Sequence, residues 1–226
     1  QPVVLGYYFT SDRASHISGT LPEPVIKRSN KEFQITHWTG YGANLGTLTA
    51  AAPQSGFINA ISDPDGVIRS FPLIAEYGGQ YYESMALALY RRYLAAASNE
   101  KGALATVSPH FSSNDPDYRH VDAVRLSTGR SIQDIPVDSA VAKLIPYRGD
   151  GGAGSGGGIS FRYISAADVL LGRLPPASLK GKIVLVGSSA PALEDLRVTP
   201  VSGTFPGVEV QANALAGLMD GSTPTR

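Results

Sequence analysis

Lys180-Gly181-Lys182-Ile183-Val184-Leu185-Val186-Gly187-Ser188-Ser189-Ala190 is the stretch on which the reading of the chain turns. Residues 183–186 are an unbroken apolar run, the composition of a strand covered on both faces, and Gly187 with two serines ends it as such a strand ends at the edge of a parallel sheet. The small polar residues at that edge leave room for a ligand. Downstream, Gly207 opens a predicted helix in which Val208, Ala212, Leu215 and Met219 recur at helical spacing. Glu209 lies in its positive first turn, and Gly221 with Pro224 closes its far end. Strand, polar loop and helix make one half of an α/β unit.

The rest of the chain is read outward from there. Ser165-Ala166-Ala167-Asp168-Val169-Leu170-Leu171 is a short helix with Ser165 as its cap and Gly172 as its stop. Residues 142–149 read as a strand that runs into glycines. Val124-Arg125-Leu126 and residues 132–135, around Thr128-Gly129, read as a hairpin, and residues 98–120, polar and carrying Pro109 and Pro116, as a loop. Gly78-Gly79 turns the chain into a helix over residues 83–97. Its apolar side is Ala86, Leu89, Tyr90, Tyr93, Leu94 and Ala97, with Glu83 at the positive end and Arg91-Arg92 further along. The clearest hairpin flanks Asp63-Pro64-Asp65-Gly66, where Pro presets one dihedral and Gly accepts positive φ; Pro72 in its second strand marks an edge or a bulge. Residues 13–39 show no sustained period and form a long excursion. Val3-Val4-Leu5-Gly6-Tyr7-Tyr8-Phe9 reads as a buried strand inside the sheet. The fold class is α/β: a mainly parallel central sheet with helices on both faces and antiparallel hairpin additions, built as a single domain over residues 1–226.

Composition removes several functions. Lys plus Arg (19) equals Asp plus Glu (19) and neither sign gathers into runs, so no broad field draws nucleic acid or an anionic membrane surface. The absence of cysteine removes disulfides, thiolate metal sites and cysteine nucleophiles together. No apolar stretch approaches the roughly 20 residues of a membrane helix, and Gln1 opens the chain without a signal-like segment.

Four motifs carry possible chemistry. Asp63-Pro64-Asp65-Gly66 resembles part of a calcium loop, but the EF-hand register would put Ile61 at the first ligand position and Pro72 at the twelfth. A hairpin turn in which Asp65 pairs with Arg69 is the better reading. Gly149-Asp150-Gly151-Gly152-Ala153-Gly154 has dinucleotide spacing, yet Ser155-Gly156-Gly157-Gly158 continues the glycines where a helix must begin, so it reads as a flexible loop. Ser188 or Ser189 sits where a hydrolase nucleophile would. Pro191 is poorly placed for the helix that should follow, and His16, His37, His110 and His120 all precede Asp195, against the usual order of a hydrolase triad. The histidines have no paired metal spacing, so neither metal nor cofactor is expected. A ligand site, if the fold has one, is expected beyond the carboxyl end of the 183–187 strand at the amino end of the 207 helix. Ser188, Ser189, Asp195, Thr199 and Asn213 are the polar residues it would gather. The competing reading makes the serines caps and buries Asn213 against the Asp195 loop.

A resemblance rests on these same residues. Val186-Gly187-Ser188, Asp195, Thr199-Pro200, Pro206-Gly207-Val208-Glu209 and Ala212-Asn213 resemble the closing motif of the CHASE sensor domains of the second type. Gly56-Phe57-Ile58-Asn59, Asp63, Asp65-Gly66 with Arg69, Pro72-Leu73, Tyr90-Arg91, Tyr147-Arg148-Gly149 and Ala167-Asp168-Val169-Leu170 extend it over most of the chain. Gln211 departs from it, since many relatives carry His there. The resemblance implies an extracytoplasmic, periplasmic input module of a bacterial membrane receptor. Such a module relays a small-molecule or physical stimulus to a cytoplasmic adenylate cyclase, histidine kinase or serine/threonine kinase. It further implies an excised segment whose flanking membrane helices are absent from this chain, a homodimeric full-length receptor, and no catalytic residues of its own. A serine hydrolase using Ser188 or Ser189, or a solute-binding domain, is the alternative.

Overall fold

The computed structural model describes residues 2–12, 16–27, 29, 31–52, 54–98, 103–151, 161–175, 177–188 and 195–222. In chain order it holds β1 Leu5–Thr10, β2 Ile17–Ser18, β3 Gly40–Gly42, α1 Gly46–Ala51, β4 Ser55–Phe57, β5 Ile61–Ser62, β6 Ile68–Pro72, β7 Ile74–Tyr77, β8 Gln80–Glu83, α2 Met85–Ala97, β9 Thr106–His110, β10 Ala123–Ser127, β11 Ile132–Pro136, β12 Ala142–Leu144, α3 Ala166–Leu170, β13 Leu196–Arg197, β14 Phe205–Pro206 and α4 Gly207–Asp220. The chain divides into two compact units: Gln1–Ile61, Ser70–Pro146 and Ala214–Arg226 in the first, Ser62–Arg69 and Tyr147–Asn213 in the second.

In the first unit β1 lies between β3 and β4 in a sheet of order β2-β3-β1-β4. Strand alternation buries Tyr7 and Phe9 and leaves Tyr8 exposed. Phe9 packs on Phe57 with ring centroids 5.5 Å apart and on Tyr82 at 5.7 Å, which makes this face aromatic and closes it to water. The opposite face carries Gly6 and Gly56, paired across β1 and β4. A Cβ on Gly56 would stand 2.5 Å from the Met85 backbone nitrogen, so the glycine is what lets α2 come this close.

Three elements of this unit differ from the sequence reading. Gly78 and Gly79, at φ +60 and +77, form the two-residue turn of a β7–β8 hairpin, so the chain spends residues 80–83 as a strand before α2 begins. Ser84 then caps α2, its side chain accepting from the Leu87 N–H. The buried face of α2 is Met85, Ala86, Leu87, Ala88, Tyr90, Arg91 and Ala95, whereas the predicted face member Tyr93 is 39% exposed. A helix this rich in Ala and Leu offers more than one apolar stripe. The contact that coincides with the face actually buried is polar: Arg91 Nη1 donates to Glu83 Oε1 at 2.6 Å, both side chains being buried. The third difference is β9, which lies inside the predicted loop over residues 98–120. Thr106-Val107-Ser108-Pro109-His110 lacks an apolar pattern, and β9 is an edge strand of the β11-β10-β9 sheet, where Pro109 is tolerated. The β10–β11 hairpin lies where the sequence placed it, Val124 opposite Ile135.

The class is α/β, with mixed sheets and four helices among the described residues. The expected mainly parallel central sheet is not what the pairings give. Parallel pairs are β1·β4 and β2·β3; β1·β3, β7·β8, β9·β10, β10·β11, β6·β12 and β13·β14 are antiparallel. Short turns account for β7·β8 and β10·β11, since a tight hairpin joins antiparallel neighbours, whereas β1·β3 and β6·β12 pair strands far apart in sequence, whose relative direction no local pattern specifies.

In the second unit β13 and β14 form a small antiparallel hairpin, Arg197 opposite Phe205. Ser165 caps α3 by accepting from the Ala167 N–H at 3.2 Å, and Gly172 at φ +65 follows its end. The predicted buried strand over residues 183–186 is the largest correction. These residues enter no ladder among the described residues, and Ile183, Val184 and Val186 are exposed at 40, 51 and 91%. Apolar composition states that a segment can be covered on both faces; it does not supply the neighbouring strands whose hydrogen bonds make it one. Most of the glycine-rich run, residues 152–158, lies outside the described residues.

Candidate functional site

The candidate site is built in the second unit around the amino end of α4. The Gly207 N–H donates to the Asp195 carbonyl at 2.8 Å. The Asp195 side chain sits so close over the Gly207 Cα that a Cβ there would meet Oδ1 at 2.3 Å. A carboxylate is thus held at the positive end of a fourteen-residue helix, where unpaired N–H groups and the helix dipole favour negative charge. Arg197 Nη2 donates to the same Oδ1 at 3.2 Å. Gly187 meets α4 as well, since a Cβ on it would lie 2.6 Å from Val208 Cβ. The end of the 183–187 segment and the beginning of the helix are therefore together, as the sequence placed them, though no sheet ladder brings them there.

Each predicted site residue has a place. Ser188 Oγ is buried and has no hydrogen-bond partner among the described residues. Ser189 lies outside the described residues. Thr199 is buried and committed to its own turn, Oγ1 donating to the Ser202 carbonyl at 3.0 Å and accepting from the Ser202 N–H at 3.1 Å. Asn213 is fully buried; its Oδ1 accepts from the Arg148 N–H at 3.0 Å and its Nδ2 donates to the Glu209 carbonyl at 2.9 Å. Among the described residues Asn213 is thus bonded to Arg148 and to its own helix, where the competing reading of the sequence had it bonded to the Asp195 loop. Asp195 and Gly187 stand at the helix end, while Thr199 and Asn213 act as scaffold.

The structure brings to the site residues that the sequence reading named only as landmarks or not at all. Glu209, buried in the first turn, accepts from the Tyr163 hydroxyl at 2.6 Å. The Tyr147 hydroxyl donates to the Ile68 carbonyl at 2.9 Å, and burial pushes its pKa up. Tyr147 also packs edge-on against Phe205, ring centroids 5.1 Å apart. Gly151, at φ +73, lies on that same ring: a Cβ would stand 2.5 Å from Phe205 Cε2. A polar residue in the first turn of an otherwise apolar helix was the available signal for Glu209. Nothing local marks Tyr163.

The 63–66 turn belongs to the same unit. Arg69 clasps Asp65 with both terminal nitrogens at 2.8 and 2.9 Å and reaches Asp63 Oδ2 at 2.8 Å. Gly66, at φ +79, donates to the Asp63 carbonyl at 2.8 Å. The Arg69 guanidinium holds the Asp65 carboxyl down to about 2, and the Asp65 side chain raises Arg69 in return. Among the described residues no three His, Asp or Glu side chains are gathered as a metal requires.

Among the described residues no base contacts the Ser188 hydroxyl, and the Asp195 carboxylate lies over the start of α4. What the fold and site define is a mixed α/β chain with a carboxylate held at the amino end of α4. The CHASE2 domain family matches residues 3–226, and the chain belongs to that family. CHASE2 domains are extracellular sensory domains of receptors, not catalytic ones. No curated protein and no solved structure matches the chain. No helix among the described residues is long and apolar enough to cross a membrane.

Proposed function

We propose that this chain is the extracytoplasmic sensory input module of a bacterial transmembrane receptor, one domain over residues 1–226, dimeric in the full-length protein. It relays its stimulus to a cytoplasmic adenylate cyclase, histidine kinase or serine/threonine kinase. The observation that carries this reading is the family match across residues 3–226. The site proposed for the stimulus is the amino end of α4, with Ser188, Ser189 and Asp195 as contacts and Thr199 and Asn213 as their support. Asp195 already occupies that end, so the resting state is closed, and a ligand acts by replacing the carboxylate over Gly207. The helix then gains or loses an anion at its first turn, and its remainder, residues 214–220, lies in the first unit. A change at the helix amino end is in this way written into an element shared by both units.

The experiment uses the full-length receptor with its output activity as readout. Ser188→Ala and Asp195→Asn are expected to change the stimulated output while leaving expression and melting of the sensory domain nearly as they were. Normal signalling by both variants would remove the helix end as the stimulus site. Light scattering of the full-length protein tests the assembly, and a monomer with full output would contradict the dimer.

A further inference from the structure

We propose that Phe111 and Tyr118, in the first unit, form a binding site for an organic ammonium ion that the chain's own Lys31 occupies as a tethered ligand. Lys31 Nζ lies 4.8 Å from the Phe111 ring centroid and 5.6 Å from that of Tyr118, and it donates to the Asp115 carbonyl at 2.7 Å. Two ring faces and one carbonyl are a cation-recognition set, because the ring quadrupoles and the carbonyl dipole all present negative potential to one point. Among the described residues no carboxylate pairs with Lys31, so this set is what holds the ammonium.

Both rings are fixed before any cation arrives. The Tyr118 hydroxyl donates to Asp122 at 2.9 and 3.1 Å, a bond to a carboxylate that makes the ring more electron-rich. Asp122 also accepts from the Ser112 N–H at 2.8 Å, a bond that keeps it ionised. Phe111 is braced edge-on by Phe33 at 5.9 Å, and buried Phe33 stacks on Tyr81 at 4.9 Å. Lys31 is the movable partner. Its strap is tied to the loop independently by the Gln34 N–H to the Arg119 carbonyl at 3.0 Å, and by an exposed Arg119–Glu32 pair at 3.1 Å. The side chain of Lys31 can therefore leave the rings without unfolding either segment. A primary alkylammonium replaces it group for group, with methylene stem on the rings and one N–H to the carbonyl. The proposal is independent of the α4 site.

The test uses this chain with butylammonium chloride as probe, the free equivalent of a lysine side chain, against sodium chloride at equal ionic strength. Lys31→Ala vacates the rings. Lys31→Ala is expected to bind butylammonium at least tenfold more tightly than the wild type, with ring-proton NMR shifts at Phe111 and Tyr118, and Phe111→Ala in that background is expected to abolish the binding. Equal affinity of wild type and Lys31→Ala, or binding that survives Phe111→Ala, would overturn the site and leave Lys31 as a clamp only. If Lys31→Ala and Lys31→Gln both lose the native spectrum, the wild type decides: displacement of the Lys31 methylene resonances by butylammonium supports the proposal, and their constancy up to saturating salt overturns it.

Discussion

Ser188 and Asn213 are both polar groups removed from water, yet their truncation is expected to have opposite consequences. Asn213→Ala leaves the Arg148 N–H and the Glu209 carbonyl without the side chain that satisfies them, at a cost of about 1–3 kcal/mol for an orphaned buried group. Ser188→Ala removes a hydroxyl with no hydrogen-bond partner among the described residues, so its stability is expected to stay within about 0.5 kcal/mol of the parent. Urea melts of the two variants check this; a Ser188→Ala loss as large as that of Asn213→Ala would show that its hydroxyl is bonded after all. Gly151 is a second residue-scale test. Ala there must accept φ +73 and also displace the Phe205 ring 2.5 Å away, so Gly151→Ala is expected to cost about 1–3 kcal/mol. Phe205→Leu in the same background should recover part of the loss by removing the clash.

At the scale of elements, the 63–66 turn was readable because its chemistry is local: Pro64 and Gly66 specify the dihedrals, and Arg69 lies within reach of both aspartates. Its pH dependence follows from the sign of the shift. The Arg69 bond holds Asp65 down to about 2 in the folded state, against an ordinary value of 3.8, so its contribution is present above the ordinary value and is lost as pH falls through 2. The stability gap between the parent and Asp65→Asn is expected to be flat above about pH 5, to narrow from there towards pH 2 and to close only below it. Both side chains reach solvent, so the gap is small. Gly66→Val is expected to cost more, through backbone strain alone, since nothing lies within 4 Å of a Cβ there. The α2 pair was not readable, because β8 intervenes where the sequence shows only a glycine pair and tyrosines. Arg91→Leu strands Glu83 as an uncompensated buried carboxylate, at about 3–5 kcal/mol. Burial already raises Glu83, and the neutral acid relieves the variant, so its deficit is expected to be larger at pH 8 than at pH 5.

For the whole molecule, what was legible is what sequence neighbours decide: the 63–66 turn, the β10–β11 hairpin, the cap at Ser165, the start of α4 at Gly207 and its meeting with Gly187. What was not legible depends on residues far apart, such as the lack of a ladder for residues 183–186 among the described residues, the edge position of β9 and the Tyr163–Glu209 bond. The division into units is of this second kind. The chain passes from one unit to the other within β5, within β6 between Arg69 and Ser70, after Pro146, and within α4 between Asn213 and Ala214. Neither unit is a continuous piece of chain, so neither can be cut free without severing a strand or a helix. A boundary inside a helix also differs from one in a linker: melting the second unit removes the first two turns of α4, and the shortened helix loses its amino-end anion and its cap contacts together. One cooperative transition is therefore expected in calorimetry, with van't Hoff and calorimetric enthalpies equal. Asn213→Ala and Gly66→Val, both in the second unit, should lower the midpoint reported by probes in the first, such as near-ultraviolet signals of the Phe9 and Tyr82 cluster. Two resolved transitions, or a first-unit signal that ignores both substitutions, would show that the units fold separately and that α4 does not join them.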